Sequence, residues 1–118
     1  MTIAIVHYHL RTGGVTTVIA RTSQAFIKAG IRHVILSGEA PEETHADLPV
    51  VVVPELAYRK TPAQLAPLLH SAATAHLGHP PDLWHFHNHS LGKNHSLPAA
   101  IADLAASGAR ILLQIHDL

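Results

Sequence analysis

Ile3-Ala4-Ile5-Val6-His7-Tyr8-His9-Leu10-Arg11-Thr12-Gly13-Gly14-Val15 reads as an apolar strand that runs straight into a glycine pair and then into a helix. The apolar residues come as a run without alternation, the pattern of a strand covered on both faces, as in a parallel sheet. Beyond the glycines, Val15, Val18, Ile19, Thr22, Phe26 and Ile27 fall on one helical stripe that should pack on the sheet, and Gly30 closes the helix. Strand, glycine turn and helix together form the first half of a β-α-β unit.

Four further segments repeat the buried-strand pattern: His33 to Ser37, Val50 to Val53, Leu83 to His87 and Ile111 to His116, the first strand itself spanning Ile3 to His9. A second helix is expected from Thr61-Pro62 through Leu65, Leu68, Leu69, Ala72 and Ala73 to Gly78, with Pro67 bending it or delaying its start. A third begins near Ser96-Leu97-Pro98, buries Ile101, Leu104 and Ala105, and ends at Gly108. This order specifies an α/β fold, a Rossmann-like three-layer sandwich on a mostly parallel five-stranded sheet with its first strand central and right-handed crossovers. Residues 38–48 are polar and should form a surface loop between the second and third strands.

Bulk composition narrows the function classes. A chain of 118 residues has room for one core. Eight basic residues balance eight acidic ones without a run of like charge, which disfavours nucleic acid and anionic membrane as partners. Cysteine is absent, so disulfides and thiolate metal sites are excluded. The first strand starts at Thr2-Ile3 without a basic and apolar leader, and nothing approaches the roughly 18 apolar residues of a spanning helix, so a cytoplasmic protein with no integral membrane segment is expected. Histidine is the anomaly, with twelve copies.

Open parallel sheets bind ligands beyond the carboxyl ends of their strands, above all where the strand order reverses. His7 and His9 close the first strand, His87 to His89 the fourth, and His116 with Asp117 the fifth. Gly13 and Gly14 open a helix without Cβ atoms in the way, so a ligand can approach the backbone N–H groups, the helix N-terminus favours an anion, and Arg11 adds a positive charge. The Gly-x-Gly-x-x-Gly spacing of dinucleotide folds and a Lys-Ser/Thr phosphate loop are both missing, which leaves a simple tight turn as the alternative. The loop His87-Asn88-His89-Ser90 to Gly92-Lys93-Asn94 faces the same edge and offers contacts for hydroxyls or charge, or else is a solvated connection. His33, His45, His70, His76 and His79 read as structural or incidental.

Two readings of other classes stay open. His7 with His9, and His85 with His87 and His89, share strand faces, and neighbouring strands lie about 4.8 Å apart, so the rings can converge on a divalent ion in a metal-binding or metallohydrolase-like domain. Asp117 is the one carboxylate near these strand ends in sequence. A non-catalytic α/β interaction module using an open sheet edge is the third possibility.

The opening Ile3-Ala4-Ile5-Val6-His7, then Gly13-Gly14-Val15, the helix ending Lys28-Ala29-Gly30 and the strand His33-Val34-Ile35-Leu36 are similar to the start of the family-4 type retaining glycosyltransferases of GT-B architecture. Pro81-Asp82-Leu83-Trp84-His85-Phe86-His87-Asn88 resembles that family's fourth strand, and Ile111-Leu112-Leu113-Gln114-Ile115-His116-Asp117 its fifth. The resemblance implies that residues 1–118 are an N-terminal, acceptor-side domain, incomplete by one or two strands. The nucleotide-sugar would be held mainly by a second Rossmann-like domain whose basic residue and paired glutamates are not in these residues. Gly13 and Gly14 would then meet the donor diphosphate and the acceptor, and His116 the transferred sugar, with His9, Arg11, His87, Asn88, Lys93 and Asn94 as further donor or acceptor contacts. Neither a metal nor any other cofactor is implied. A fragment of this kind is expected to be inactive alone and to self-associate through its open sheet edge.

Overall fold

The computed structural model describes residues 1–57, 64–87 and 96–116. Five strands, β1 (Thr2–His7), β2 (Arg32–Ser37), β3 (Val50–Val52), β4 (Leu83–His87) and β5 (Ile111–Gln114), form one sheet in the order β3-β2-β1-β4-β5. Every pairing is parallel. The expected α/β Rossmann-like sandwich is therefore the fold, with β1 at its centre. The first strand ends at His7 and the fifth at Gln114, each two residues short of the apolar run that marks it in the sequence.

Alternation along the strands builds two cores. Ile3, Ile5 and Ile35 face α1 (Gly14–Ala29), where they meet Ile19 and Ala20. Ala4, Val6, Trp84 and Phe86 point the other way, against Leu69 and Ala73 of α2 (Leu65–Leu77) and Ala100 and Leu104 of α3 (Leu97–Ala106). The carboxyl end of each helix is closed by a left-handed glycine: Gly30 at φ 72°, Gly78 at φ 86° and, one residue past the cap of α3, Gly108 at φ 94°.

The buried stripes differ in detail from the sequence expectation. α1 buries Thr16, Ile19, Ala20 and Ser23, whereas Val18 and Ile27 are exposed. Val18 falls on the helix face opposite these four residues, and Ile27 stands in the last turn. In α2, Leu65 and Leu69 are buried and Leu68 is exposed, and in α3 Ala105 is exposed. Pro67 stands in the first turn of α2, where a missing N–H costs no intrahelical bond. Thr61 and Pro62 lie outside the described residues.

The loop after β2 carries a one-turn 3-10 helix, Glu43–His45, and buries Leu48 in the α1 core. Gly38 begins this loop with its N–H donated to the Tyr8 carbonyl at 2.9 Å. A Cβ on Gly38 would stand 2.3 Å from the Ala57 nitrogen and 2.6 Å from the Tyr8 oxygen, so the close approach of three backbone segments requires glycine.

At the amino end of the sheet, the Asp82 carboxylate accepts hydrogen bonds from the Thr2 backbone N–H at 2.8 Å and its hydroxyl at 3.3 Å. This staple aligns β1 with β4. Its consequence appears at the other end, where the same register brings His7 and His87 side by side.

Candidate functional site

The chain leaves β1 on one side of the sheet through α1, and passes from β4 to β5 on the other side through α3. The strand order thus reverses between β1 and β4, the place beyond whose carboxyl ends open parallel sheets bind their ligands. Trp84 and Phe86 occupy the α2/α3 face of β4, so His85 and His87 both point to the α1 face, the face that His7 takes on β1. Ile111 packs on the α2/α3 side, which turns Gln114 and His116 to the histidine side as well.

Five imidazoles consequently follow one another along this edge. His9 and His7 have ring centroids 5.2 Å apart, His7 and His87 6.4 Å, His87 and His85 4.2 Å, and His87 and His116 5.0 Å with the last pair stacked. His7 donates from Nδ1 to the His87 carbonyl at 3.1 Å. His85 donates from Nε2 to the Gln114 side-chain carbonyl at 2.8 Å. Between His87 Nδ1 and His116 Nε2 the separation is 2.7 Å.

Burial decides the charge of this group. It pushes His7 down to about 4, against the opposing effect of the His87 carbonyl, with His9 and His116 lowering it further. His87 is pushed down to about 3, first by burial and then by the neighbouring rings of His85, His116 and His7. Burial likewise lowers His9 and His85. Near neutral pH, His7 and His87 are neutral and present hydrogen-bonding nitrogens rather than charges.

His9 ties this row to the glycine turn, since its Nδ1 accepts the Arg11 backbone N–H at 3.1 Å. Gly13 and Gly14 are exposed, and a Cβ at Gly14 would meet nothing within 4 Å. Gly13 precedes α1 with no side-chain cap on the helix and no acidic residue in its first turn. The Thr16 hydroxyl holds the turn from below through the Arg11 carbonyl at 2.5 Å. The N–H groups that begin α1 are thus left without a side-chain cap.

Two carboxylates that the sequence leaves in an unassigned loop also reach this turn. Glu39 receives the Arg11 guanidinium in a two-pronged pair, one arm from Nε at 2.8 Å, and the Arg11 hydrogen bond holds its carboxyl below the usual range. Glu42 accepts the Thr12 N–H at 3.1 Å and the Thr12 hydroxyl at 2.7 Å, and these bonds hold its carboxyl down too. Glu39 and Glu42 are thus acids beside this turn that the sequence reading did not count. An open pocket lies beside the pair, lined by Tyr8, His9, Arg11, Glu39 and Ala57. The reach is about 30 residues in sequence, and no local pattern announces it. The shared face of His85 and His87 was by contrast legible from strand parity, whereas the β1–β4 and β4–β5 registers bring His7 and Gln114 to it.

Of the residues marked from sequence, Gly13, Gly14, His9, Arg11, His87 and His116 are brought to this one edge. Asn88, Lys93 and Asn94, with Asp117, lie outside the described residues. His33 belongs elsewhere: its Nδ1 donates to the Ile31 carbonyl at 3.1 Å and its Nε2 accepts the buried Ser23 hydroxyl at 2.6 Å. Among the described residues no group of three or more His, Asp or Glu side chains is arranged to hold a metal ion. No helix among them is long and apolar enough to cross a membrane.

The sequence model of the glycosyl transferase 4-like domain matches residues 13–118. No curated protein and no solved structure matches the chain.

Proposed function

This chain belongs to the glycosyl transferase 4-like domain family, and from that premise we propose that it is the N-terminal, acceptor-side part of a glycosyltransferase. The reaction is transfer of a sugar from a nucleotide-sugar donor to an acceptor hydroxyl with retention of configuration. A second Rossmann-like lobe of GT-B architecture binds the nucleotide, and the two lobes enclose the reacting groups in the cytoplasm as a step of carbohydrate biosynthesis. The observation that carries this reading is the convergence of the glycine turn and His116 on the switch point between β1 and β4, linked through the row of imidazoles.

In this assignment the open start of α1, at Gly13 and Gly14, receives the donor diphosphate and lies beside the acceptor. His116 hydrogen-bonds the transferred sugar and orients its anomeric carbon. His9, Arg11, His87, Asn88, Lys93 and Asn94 contact donor or acceptor. Catalysis rests on orientation and on fixed dipoles in a crevice from which water is displaced. In this reading the reaction takes neither a metal nor a further cofactor.

Incubating the full-length protein with a panel of nucleotide-sugars and following nucleoside diphosphate release tests the assignment, with the product anomer read from proton NMR coupling. Release that depends on an acceptor, an unchanged anomer, and loss of about 100-fold in His116→Ala support it. Hydrolysis alone, or an inverted product, removes it.

β5 is one of the two edge strands, with Leu112 and Leu113 on it 47% and 45% exposed and Ile115 just past it 44% exposed. An apolar edge with unpaired backbone groups pairs readily with another strand. The isolated chain accordingly self-associates through β5, and is inactive without its second lobe.

A further inference from the structure

The 2.7 Å contact between His87 Nδ1 and His116 Nε2 requires one proton between two nitrogens, and the two ways of placing it differ in what they leave behind. If His116 donates, His87 carries its own proton on Nε2. That atom is buried and has no hydrogen-bond partner among the described residues, so an N–H there is an orphaned donor. If His87 donates from Nδ1, its Nε2 is a bare nitrogen, and buried bare acceptors are tolerated better than buried orphan donors. The neighbours agree. His85 directs its Nε2–H to Gln114 and His7 its Nδ1–H to the His87 carbonyl, and neither ring hydrogen-bonds to His87 Nε2.

We propose that His87 is the positioning residue for His116: it donates from Nδ1, occupies His116 Nε2, and fixes His116 in the tautomer that carries its proton on Nδ1. His116 then meets an oxygen as a donor through Nδ1, and its one basic nitrogen is turned inward and already used. His116 is not a general base. In the sugar-transfer reading, on which this part rests, the ring donates to a sugar hydroxyl or phosphate oxygen and stabilises negative charge there. Free imidazole in water prefers the other tautomer, so the reversal is a mark of the His87 contact.

The test is a long-range proton–nitrogen correlation spectrum of the chain labelled with 15N-histidine, near neutral pH. The expected pattern for His116 is a protonated-type Nδ1 and a bare-type Nε2. His87→Asn retains an amide N–H where Nδ1 stood and should retain the pattern, whereas His87→Leu should let His116 revert to the Nε2–H form. A wild-type spectrum with the proton on His116 Nε2 overturns the proposal, as does an unchanged pattern in a folded His87→Leu chain. Should that variant not fold, the wild-type spectrum decides alone. Failure of sugar transfer by the full-length protein with the tautomer intact would remove the functional reading and leave this one standing.

Discussion

Acidification from about pH 7.5 to about pH 5 should cost the folded chain roughly 4 kcal/mol, and His7 and His87 are the reason. Both rings are buried, at 3% and 0% exposure, and are neutral when folded because their values are pushed down to about 4 and about 3. Unfolding releases each to its ordinary value of 6.5, where it takes up a proton as the pH falls. The stability they carry is therefore complete above pH 6.5 and is lost on acidification, down to the folded values. Each pH unit in this window is worth about 1.4 kcal/mol per ring, so at pH 5 each contributes a loss of about 2 kcal/mol. His9, His33 and His85, also lowered, act in the same direction. Hydrogen bonds hold Glu39, Glu42 and Asp82 below their ordinary values of 4.5, 4.5 and 3.8, so their losses come below the range from about pH 7.5 to about pH 5 that the experiment covers. Urea unfolding followed by the fluorescence of Trp84, the single tryptophan and 2% exposed, reads the effect directly. His87→Leu should flatten the pH slope by about half. A midpoint that does not move between pH 7.5 and 5, or a His87→Leu slope equal to the wild type, refutes the buried neutral cluster.

Gly38→Ala should destabilise by about 3 kcal/mol or abolish folding, because the new Cβ collides with backbone on two sides; thermal melts check this. Gly14→Ala has open space and a helical position, so the same melts should show a gain of up to about 1 kcal/mol, while donor binding by the full-length protein weakens if the diphosphate needs that space. Ser23→Ala leaves His33 Nε2 buried without its donor and should cost about 1–3 kcal/mol in urea titrations. Arg11→Ala, breaking an exposed pair, should change stability by less than about 1 kcal/mol. Leu113→Lys on the edge strand should shift the isolated chain toward monomer in light scattering, and equal association of both chains would rule out the β5 edge.

The layer order of the fold was legible because its signals are local. Continuous runs such as Ile3-Ala4-Ile5-Val6 mark strands covered on both faces, and Gly30, Gly78 and Gly108 mark helix ends through a backbone conformation that glycine adopts without strain. The stripes of the helices were less legible. Val18 and Ile27 are as apolar as Ile19, yet the contact with the sheet goes to Thr16, Ala20 and Ser23, whose size allows close packing.

The site divides in the same way. Strand parity in the sequence alone put His85 with His87, and the resemblance of the strand ends marked His116 and the glycine pair. Which face those rings take, and whether that face also carries His7, depends on the β1–β4 register and on which helices cover which side, and both are settled only when the whole sheet assembles. Glu39 and Glu42 reaching the glycine turn, and Gly38 wedged between Tyr8 and Ala57, are contacts between segments that no periodicity connects. Charge, too, was decided late: histidine titrates near neutral pH in water, and only desolvation on packing makes His7 and His87 neutral donors and acceptors.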